Sequence, residues 1–369
     1  MRQRVIIGLS GGVDSAVAAH CLLIAGYAVE AVFMKNWEED DTPSYCAAAA
    51  DLADAKAVAQ QLNIQLHAVN FATEYWERVF TPVLTDYQLL RTPNPDVLCN
   101  REIKFQVFLE YALARGAHWI ATGHYARVRQ TAAGCQLELA ADLDKDQTYF
   151  LYLLNQQQLS KALFPLADLT KTQVRSIAHS LGLINANKRD STGICFIGER
   201  RVREFFARYL PAQPGAIETP NGQVIGQHHG LAFYTLGQRQ GLGIGGIAGA
   251  NEAPWFVIAK DAERNVLVVA QGEHPLLYAN ALRGEQLHWI AGQAPIELPL
   301  NCQCRLRHRQ SLQDCTLTVI NQDDTCHIQF AISQRAITPG QSVVFYQNAV
   351  CLGGCIVTEA IRDMNDFDN

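Results

Sequence analysis

A glycine-rich hexapeptide, Ser10-Gly11-Gly12-Val13-Asp14-Ser15, lies near the start of the chain. The run before it is Val5-Ile6-Ile7-Gly8-Leu9, which predicts a buried parallel strand, and residues 16–25 predict a helix that ends before Gly26. Glycines let the backbone approach an anion closely, and a helix N-terminus offers unpaired N–H donors. The order strand, glycine turn, helix therefore predicts a phosphate-binding cradle. A plain glycine turn is the alternative.

The cradle is not a Walker A loop, because no lysine follows its second glycine. Ser10 and Ser15 add hydroxyl donors to it. A carboxylate is unexpected in an anion site, so we interpret Asp14 either as a helix cap or as a ligand of Mg²⁺ that bridges to phosphates.

Composition limits the class of protein. The chain has 369 residues, of which 49% are hydrophobic, enough for two or three packed domains. Its formal net charge of −6 predicts that nucleic acid is bound only through local basic patches. No apolar run has the roughly 18 residues of a membrane span. The first residues lead directly into a strand, which predicts no secretion signal.

Eleven cysteines without a secretion signal predict a reducing cytoplasm, with most thiols acting as small core side chains. A structural zinc site needs closely spaced cysteine pairs. The nearest candidates are Cys302 with Cys304 and Cys351 with Cys355, in strand-like sequence. We therefore predict no resident metal site.

The first half of the chain alternates strand and helix patterns, which predicts a doubly wound α/β domain with a parallel sheet. Met34 falls at the carboxyl end of the second predicted strand, where such folds bind ligands. The further strands are predicted at 28–34, 64–71 and 118–123, and the helices at 46–62 and 74–90.

A stiff loop with two prolines occupies residues 91–98, and a helix is predicted from Cys99 to about Arg115. A thiol at a helix N-terminus near Arg101 and Lys104 is expected to have a lowered pKa. The alternative is a loop with a packing role only, in which Cys99 is a small buried side chain without a chemical function.

Residues 125–140 predict a hairpin, and residues 143–151 predict entry into a helix. Lys145 and Gln147 at that helix start either contact phosphate or form a solvated terminus, and the sequence alone favours the solvated terminus. Basic helices are predicted at 170–182 and 199–210, with Cys195 in the glycine-flanked segment between them.

From Pro211 onward proline and glycine become frequent and helical periodicity disappears. Short alternating strands after residue 282 predict a small β-barrel. One of them, residues 305–309, is predicted to carry alternating basic side chains on a single face. That face is either solvated or contacts a phosphate backbone.

Five motifs occur in a fixed order: the hexapeptide at 10–15, Asn-Pro-Asp-Val-Leu-Cys-Asn at 94–100, Gly-His-Tyr at 123–125, Asp-Lys-Asp-Gln-Thr-Tyr at 144–149 and Gly-Ile-Cys-Phe-Ile-Gly at 193–198. The first resembles the PP-loop of the N-type ATP pyrophosphatases. Jointly they resemble the bacterial tRNA-specific 2-thiouridylases, the MnmA family, along nearly the whole chain. The resemblance implies a PP-loop domain at 1–200, a central mainly-β domain at 201–277 and a C-terminal β-barrel at 278–369.

This resemblance implies a cytoplasmic, membrane-free enzyme that adenylates O2 of the wobble uridine with ATP and Mg²⁺. Sulfur then replaces that oxygen at C2 in the tRNAs for Lys, Glu and Gln. The implied partners are the anticodon arm and a persulfide donor protein fed by a cysteine desulfurase.

Site residues follow from the motifs residue by residue. The resemblance implies ATP binding by Gly8, Leu9, Ser10, Gly11, Gly12, Val13, Asp14, Ser15, Met34 and Gly123. It implies that Asn94, Pro95 and Asp96 contact the target base and that Asp96, Cys99 and Cys195 are catalytic. It further implies that Cys195 carries the persulfide and that Cys99 and Cys195 pair as a disulfide. It implies tRNA contacts by Lys145, Asp146, Gln147, Arg307 and His308, with His124 and Gln341 near the site.

Two rival interpretations remain at this stage. Another PP-loop enzyme, such as an amidotransferase-fed synthetase or an argininosuccinate-type ligase, would adenylate a small molecule and need no cysteine pair. A nucleotide-gated RNA-binding or scaffold protein would bind tRNA without releasing AMP.

Overall fold

The fold is taken from a computed structural model, which describes residues 2–39, 48–190, 193, 202–244, 253–295, 297–319 and 324–362. The helices there are α1 (Val13–Ile24), α2 (Ala49–Gln61), α3 (Ala72–Tyr75), α4 (Thr81–Gln88), α5 (Pro95–Cys99), α6 (Phe108–Ala114), α7 (Gln156–Leu159), α8 (Lys171–Ser180) and α9 (Val202–Phe206). The strands are β1 (Arg4–Gly8), β2 (Ala28–Lys35), β3 (Gln65–Asn70), β4 (Trp119–Ala121), β5 (Arg127–Thr131), β6 (Gly134–Glu138), β7 (Ala162–Leu163), β8 (Gly215–Glu218), β9 (Val224–His228), β10 (Trp255–Asp261), β11 (Val266–Gln271), β12 (Tyr278–Trp289), β13 (Leu300–Arg305), β14 (Gln313–Val319), β15 (Cys326–Arg335), β16 (Ser342–Gln347) and β17 (Val350–Ile361).

A parallel sheet with the order β3-β2-β1-β4-β7 forms the N-terminal part. Its central strand β1 pairs with β2 from Arg4 opposite Ala28 to Gly8 opposite Val32, and with β4 on its other side. The side chains in the middle of β1 are fully buried, as expected of a strand covered on both faces. The predicted α/β architecture is confirmed.

Two long helices in this part each contain a π-helical stretch. Trp76–Phe80 joins α3 to α4, and Asn100–Val107 joins α5 to α6. The prediction that a helix begins at Cys99 was wrong, because the helix already begins at Pro95. Proline is favoured in the first helical turn, where its missing N–H costs nothing and its fixed φ suits the helix.

The helix predicted at 143–151 was also wrong, since only a short 3₁₀ turn forms at Thr148–Phe150. The Asp146 carboxylate accepts the backbone N–H of Ala140 at 2.9 Å, and the Gln147 side chain accepts that of Tyr125 at 3.0 Å. Such side-chain to backbone bonds compete with helical ones and favour an irregular path.

The central part is a small sheet with the order β10-β11-β8-β9. Strands β8 and β11 run parallel, and the other two pairs are antiparallel. Its core contains Ile217, Val257, Leu267 and Val269, all fully buried. Within the described ranges, no helix has the length and apolar character needed to cross a lipid bilayer.

The C-terminal part is an antiparallel barrel with the order β12-β15-β14-β13-β16-β17, closed by pairing of β12 with β17. The hairpin β5–β6 of the N-terminal part extends this sheet, since Val350 lies opposite Glu138 and Cys351 opposite Leu137. The predicted barrel is confirmed, and it shares a sheet with the N-terminal part.

The predicted basic strand at 305–309 was wrong. Strand β13 ends at Arg305, and the chain turns over the next residues. Arg305 points inward, where its Nη1 lies 2.9 Å from Asp146 Oδ1, with side-chain exposures of 7% and 0%. The basic side chains therefore do not share one solvated face, because one of them neutralises a buried carboxylate.

This ion pair connects the barrel to the N-terminal part. Burial raises the pKa of Asp146, and the hydrogen bonds from Thr148 and the Ala140 N–H together with the Arg305 charge act against that rise. Nearby, the Tyr149 hydroxyl lies 3.2 Å from the carbonyl of Leu306. We infer that these buried polar contacts fix where the barrel docks.

Asp146→Ala is expected to lower the free energy of unfolding by about 3–5 kcal/mol, because it leaves the Arg305 guanidinium buried without its partner. Urea denaturation followed by circular dichroism would measure the loss. The matched control is Glu359→Ala, whose partner Arg283 is 54% exposed, and there the expected change is about 0–1 kcal/mol. Equal midpoints for the two variants would contradict this role of Asp146.

Candidate active site

The glycine loop forms the predicted cradle at the N-terminus of α1. Gly12 is the N-cap, and no side chain caps the first turn, which leaves its N–H groups for an anion. The Ser10 and Ser15 hydroxyl oxygens lie 3.2 Å apart, and Ser15 donates to the Gly12 carbonyl at 3.0 Å. These hydrogen bonds hold the loop in shape.

Three glycines allow this loop to be packed tightly. Gly11 has a φ of +78°, and a Cβ there would lie 2.4 Å from the Asp51 carbonyl oxygen. A Cβ on Gly123 would lie 2.7 Å from the Ser15 nitrogen, and one on Gly8 would lie 3.2 Å from Met34 Cε. The fold thus brings together the predicted ATP residues, which are Gly8, Leu9, Ser10, Gly11, Gly12, Val13, Asp14, Ser15, Met34 and Gly123.

Asp14 is held by two side chains from other elements. Both of its carboxylate oxygens lie 2.8 Å from Lys171 Nζ, and the Tyr125 hydroxyl donates to Oδ1 at 2.9 Å. Lys171 is the first residue of α8, which begins with a capping box on Thr170. The cradle therefore has an ammonium group beside its helix N-terminus.

Lys171 also contacts Asp190, at 2.6 Å. Asp190 accepts further hydrogen bonds from Lys145 and Arg175, both at 2.9 Å. Burial alone would raise the pKa of Asp190, but the hydrogen bonds from Lys171 and Lys145 outweigh it and lower the pKa to about 2. Three cations thus surround one ionised carboxylate next to the cradle.

A magnesium ion on Asp14 does not fit this geometry, since Lys171 already neutralises both carboxylate oxygens. In the described part of the chain, no three His, Cys, Asp or Glu side chains are grouped to hold a metal. Asp14 instead lies in the first turn of α1, where a negative charge is favourable.

The predicted target-base motif lies at the start of α5. Asn94 is the extended N-cap residue, and Pro95 and Asp96 fall in the first turn. Cys99 ends α5 and is fully buried. Cys99 does not lie at a helix N-terminus, as the sequence predicted, because it is the fifth residue of a helix that begins at Pro95. Cys195 lies outside the described residues, so the Cys99–Cys195 pairing stays a prediction.

His124 follows the carboxyl end of β4 and is buried. Its Nδ1 lies 2.7 Å from Thr122 Oγ1, and its ring packs against Phe105 and Phe164. Burial, with a smaller effect of the Lys104 charge, lowers the pKa of His124 well below its usual value. The ring is therefore neutral at pH 7 and held in one orientation.

The two groups of predicted RNA residues come together across the contact between the barrel and the N-terminal part. His308 Nε2 donates to the Asp146 carbonyl at 2.9 Å, and Arg307 donates to the Ala336 carbonyl at 2.9 Å. Lys145 and Gln147 are partly exposed. Asp146 is 1% exposed, so its side chain does not reach an RNA in this conformation.

Gln341 supports the loop before the target-base motif. Its Nε2 donates to the carbonyls of Thr92 at 2.9 Å and Pro93 at 3.3 Å. The barrel thus holds the segment that leads into Asn94.

Sequence reasoning missed several residues beside the cradle. It noted Lys171 and Arg175 only as part of a basic helix, and it gave Asp190 no role. Asn185, which is buried, donates to the Gly11 carbonyl at 3.0 Å. The capping motif at Thr170 was a usable signal for Lys171, because it places that lysine at the exact start of a helix.

Comparison with known proteins gives a consistent assignment. Residues 3–199 match the tRNA methyl transferase HUP domain family, residues 203–271 its PRC-barrel domain and residues 279–357 the aminomethyltransferase beta-barrel domain. The chain is 56% identical to the tRNA-specific 2-thiouridylase MnmA of Methylococcus capsulatus, over 97% of this chain and 96% of that protein. It is 55% identical to the protein of that name from Aeromonas hydrophila, over 96% of both chains. Among solved structures, a 4-thiouridine synthetase–RNA complex with bound ATP has a TM-score of 0.33 and 18% identity, covering 57% of this chain and 46% of that one.

Gly123→Ala is expected to weaken ATP binding at least about 10-fold, because the new methyl group would displace the first turn of α1 and its N–H donors. Isothermal titration with ATP would measure the change. The control is Gly226→Ala on β9, where a Cβ would lie 3.6 Å from Ile217 Cδ1, an ordinary contact. Unchanged affinity in a folded Gly123→Ala protein would show that the cradle is not the ATP site.

Proposed function

The chain belongs to the MnmA family of tRNA-specific 2-thiouridylases, and on that premise we propose that it thiolates C2 of the wobble uridine in the tRNAs for Lys, Glu and Gln. The observation that carries the proposal is the cradle at the N-terminus of α1, bordered by the Lys171 ammonium. It is suited to a polyphosphate, because N–H donors and a fixed cation meet at one point.

In the proposed first step, O2 of the uracil attacks the α-phosphorus of ATP. A P–O bond to the base forms, pyrophosphate leaves, and O2 becomes part of an adenylate that is a good leaving group. We assign contact with the base to Asn94, Pro95 and Asp96, and general acid/base work to Asp96. Lys171 is suited to bind the phosphates. Mg²⁺ accompanies ATP in this proposal and no step is assigned to it.

The second step transfers sulfur. A persulfide on Cys195 attacks C2 and AMP leaves with the former O2, after which Cys99 attacks the Cys195 sulfur, releases the thiolated base and forms a Cys99–Cys195 disulfide. Alternatively Cys99 first forms that disulfide and releases sulfide, which attacks C2. A cellular dithiol must then reduce the disulfide, so we propose a cytoplasmic location.

RNA is proposed to bind across the contact between the barrel and the N-terminal part. Support comes from His308 on the barrel, which donates to the Asp146 carbonyl between Lys145 and Gln147 in the sequence. Lys145, Gln147 and His308 are partly exposed, and Arg307 is exposed. The base to be modified sits in an anticodon loop, whose unstacked bases proteins can extract. The sulfur donor is proposed to be a persulfide protein fed by a cysteine desulfurase.

Reconstitution tests the proposal. The protein would be incubated with unmodified glutamate tRNA, ATP, Mg²⁺ and excess sulfide, and the nucleosides analysed by mass spectrometry. ATP-dependent 2-thiouridine at the wobble position is expected. Formation of neither 2-thiouridine nor AMP by folded protein that binds ATP would overturn the proposal. AMP release on a small molecule without tRNA would favour the ligase interpretation, and tRNA binding without AMP release would favour a binding protein.

With a persulfide donor in place of sulfide, Cys195→Ser is expected to abolish thiolation while AMP formation on tRNA continues, because the sulfur carrier is lost and the adenylation groups remain. Cys99→Ser is expected to allow at most a single turnover with a persulfide donor. Cys302→Ser, which removes a partly exposed barrel thiol, should leave both reactions unchanged. Normal multiple-turnover thiolation by Cys195→Ser with a persulfide donor would end the role proposed for that residue.

Lys171→Met is expected to slow AMP formation about 100-fold, since the fixed cation beside the cradle is lost and Asp14 is left without its cationic partner. Release of labelled AMP and pyrophosphate under single-turnover conditions would measure the rate. The exposed Lys56 on α2 provides the control variant Lys56→Met. If the two variants have equal rates, the Lys171 ammonium takes no part in adenylation.

A further inference from the structure

The segment Leu90–Pro93, here called the strap, leads from α4 into the proposed target-base motif. It is attached to the barrel at two points. Arg91 Nη1 lies 2.8 Å from Glu285 Oε1 on β12, and the Thr92 N–H donates to the Pro339 carbonyl at 2.8 Å. The strap is therefore not an independent surface loop.

The central sheet also holds the strap. Lys260 Nζ on β10 donates to the Leu90 carbonyl at 2.9 Å, and the hydroxyls of Thr92 and Thr235 lie 3.3 Å apart. Leu90 has a φ of +59°, a left-handed conformation that is costly for a residue with a side chain. The barrel and the central sheet thus both hold the strap just after the left-handed end of α4, where the Leu90 N–H donates to the Tyr87 carbonyl and the Arg91 N–H to the Asp86 carbonyl.

Lys260 is unusual among these contacts. It is partly buried, and desolvation lowers its pKa to about 8. Within the described residues, its ammonium group donates a hydrogen bond to the Leu90 carbonyl. Placing a cation in a poorly solvated position without a carboxylate costs free energy. A lysine that served packing alone would be better replaced by an apolar side chain.

We propose that Lys260 is a positioning residue for the thiolation reaction. Lys260 holds the strap in place, and the strap in turn keeps Asn94–Asp96 and the rest of α5, which ends at Cys99, in the position needed for the reaction. The inference rests on the proposed function. The Leu90 carbonyl follows the end of α4, where carbonyls lack helical partners and a cation is favoured. Lys260 supplies that cation from the central sheet.

The proposal has a physical consequence for catalysis. Without the ammonium group, the Leu90 carbonyl loses its charged donor, and the strap can shift and move the motif that follows it. A displacement of about 1 Å in a reacting group can cost about 100-fold in rate. ATP would still bind, because the cradle and Lys171 lie on other elements.

The test compares Lys260→Met with Lys260→Arg and with the exposed control Lys56→Met. Thiolation of glutamate tRNA would be followed at saturating ATP and varied tRNA, together with ATP affinity and the urea midpoint. We expect Lys260→Met to lower kcat about 10- to 100-fold. The tRNA KM, the ATP affinity and the urea midpoint are expected to stay at wild-type values. Lys260→Arg should restore most of kcat, because it retains a cationic donor.

Three outcomes would overturn the inference. In the first, Lys260→Met retains wild-type kcat. In the second, its kcat falls together with its ATP affinity and its urea midpoint, which indicates a structural role only. In the third, the wild-type protein forms no 2-thiouridine, which overturns the proposed function and this inference with it. If the wild type forms 2-thiouridine and Lys260→Met has the same kcat, the inference about Lys260 is overturned and the proposed function is not.

Discussion

The buried ion pair between Asp146 and Arg305 determines how the parts of this molecule are arranged. A lone carboxylate in the interior would be costly, so its three neighbours, Arg305, Thr148 and the Ala140 N–H, must all be present at once. Those neighbours come from the barrel, from the 3₁₀ turn that begins at Thr148 and from the segment that follows β6. Apolar contacts between the same surfaces could slide, whereas directional bonds to one carboxylate permit a single docking position.

That docking position brings distant stretches of the chain together. Once Asp146 is fixed, its backbone carbonyl accepts a hydrogen bond from His308 Nε2. The Tyr149 hydroxyl likewise lies within hydrogen-bond distance of the carbonyls of Leu306 and Ser342. The partly exposed Lys145 is the immediate neighbour of this buried group in sequence. The surface proposed to bind RNA therefore adjoins this buried ion pair, which connects its two sides.

Local patterns predicted the cradle well, because its strand, glycines and helix are adjacent in sequence and each residue type is required at its position. Tertiary contacts explain why the predictions at 143–151 and 305–309 were wrong. Arg305 ends its strand facing inward because a carboxylate far away in sequence needs it, and residues 143–151 leave the helix because Asp146 and Gln147 bind backbone groups of other segments. Lys171 could be placed on a helix but not beside Asp14, since nothing in a single sequence pairs residues so far apart.

The convergence of all three parts on the strap explains why adenylation chemistry here is joined to two further β domains. Gly340 has a φ of +89°, and a Cβ there would lie 2.8 Å from both Arg91 Cβ and the Thr92 nitrogen, so the barrel meets the strap backbone to backbone. Such a contact transmits a displacement instead of absorbing it, because no flexible side chain lies between the two segments. A shift of the barrel under a bound RNA would therefore move the strap, and with it the residues proposed to meet the base.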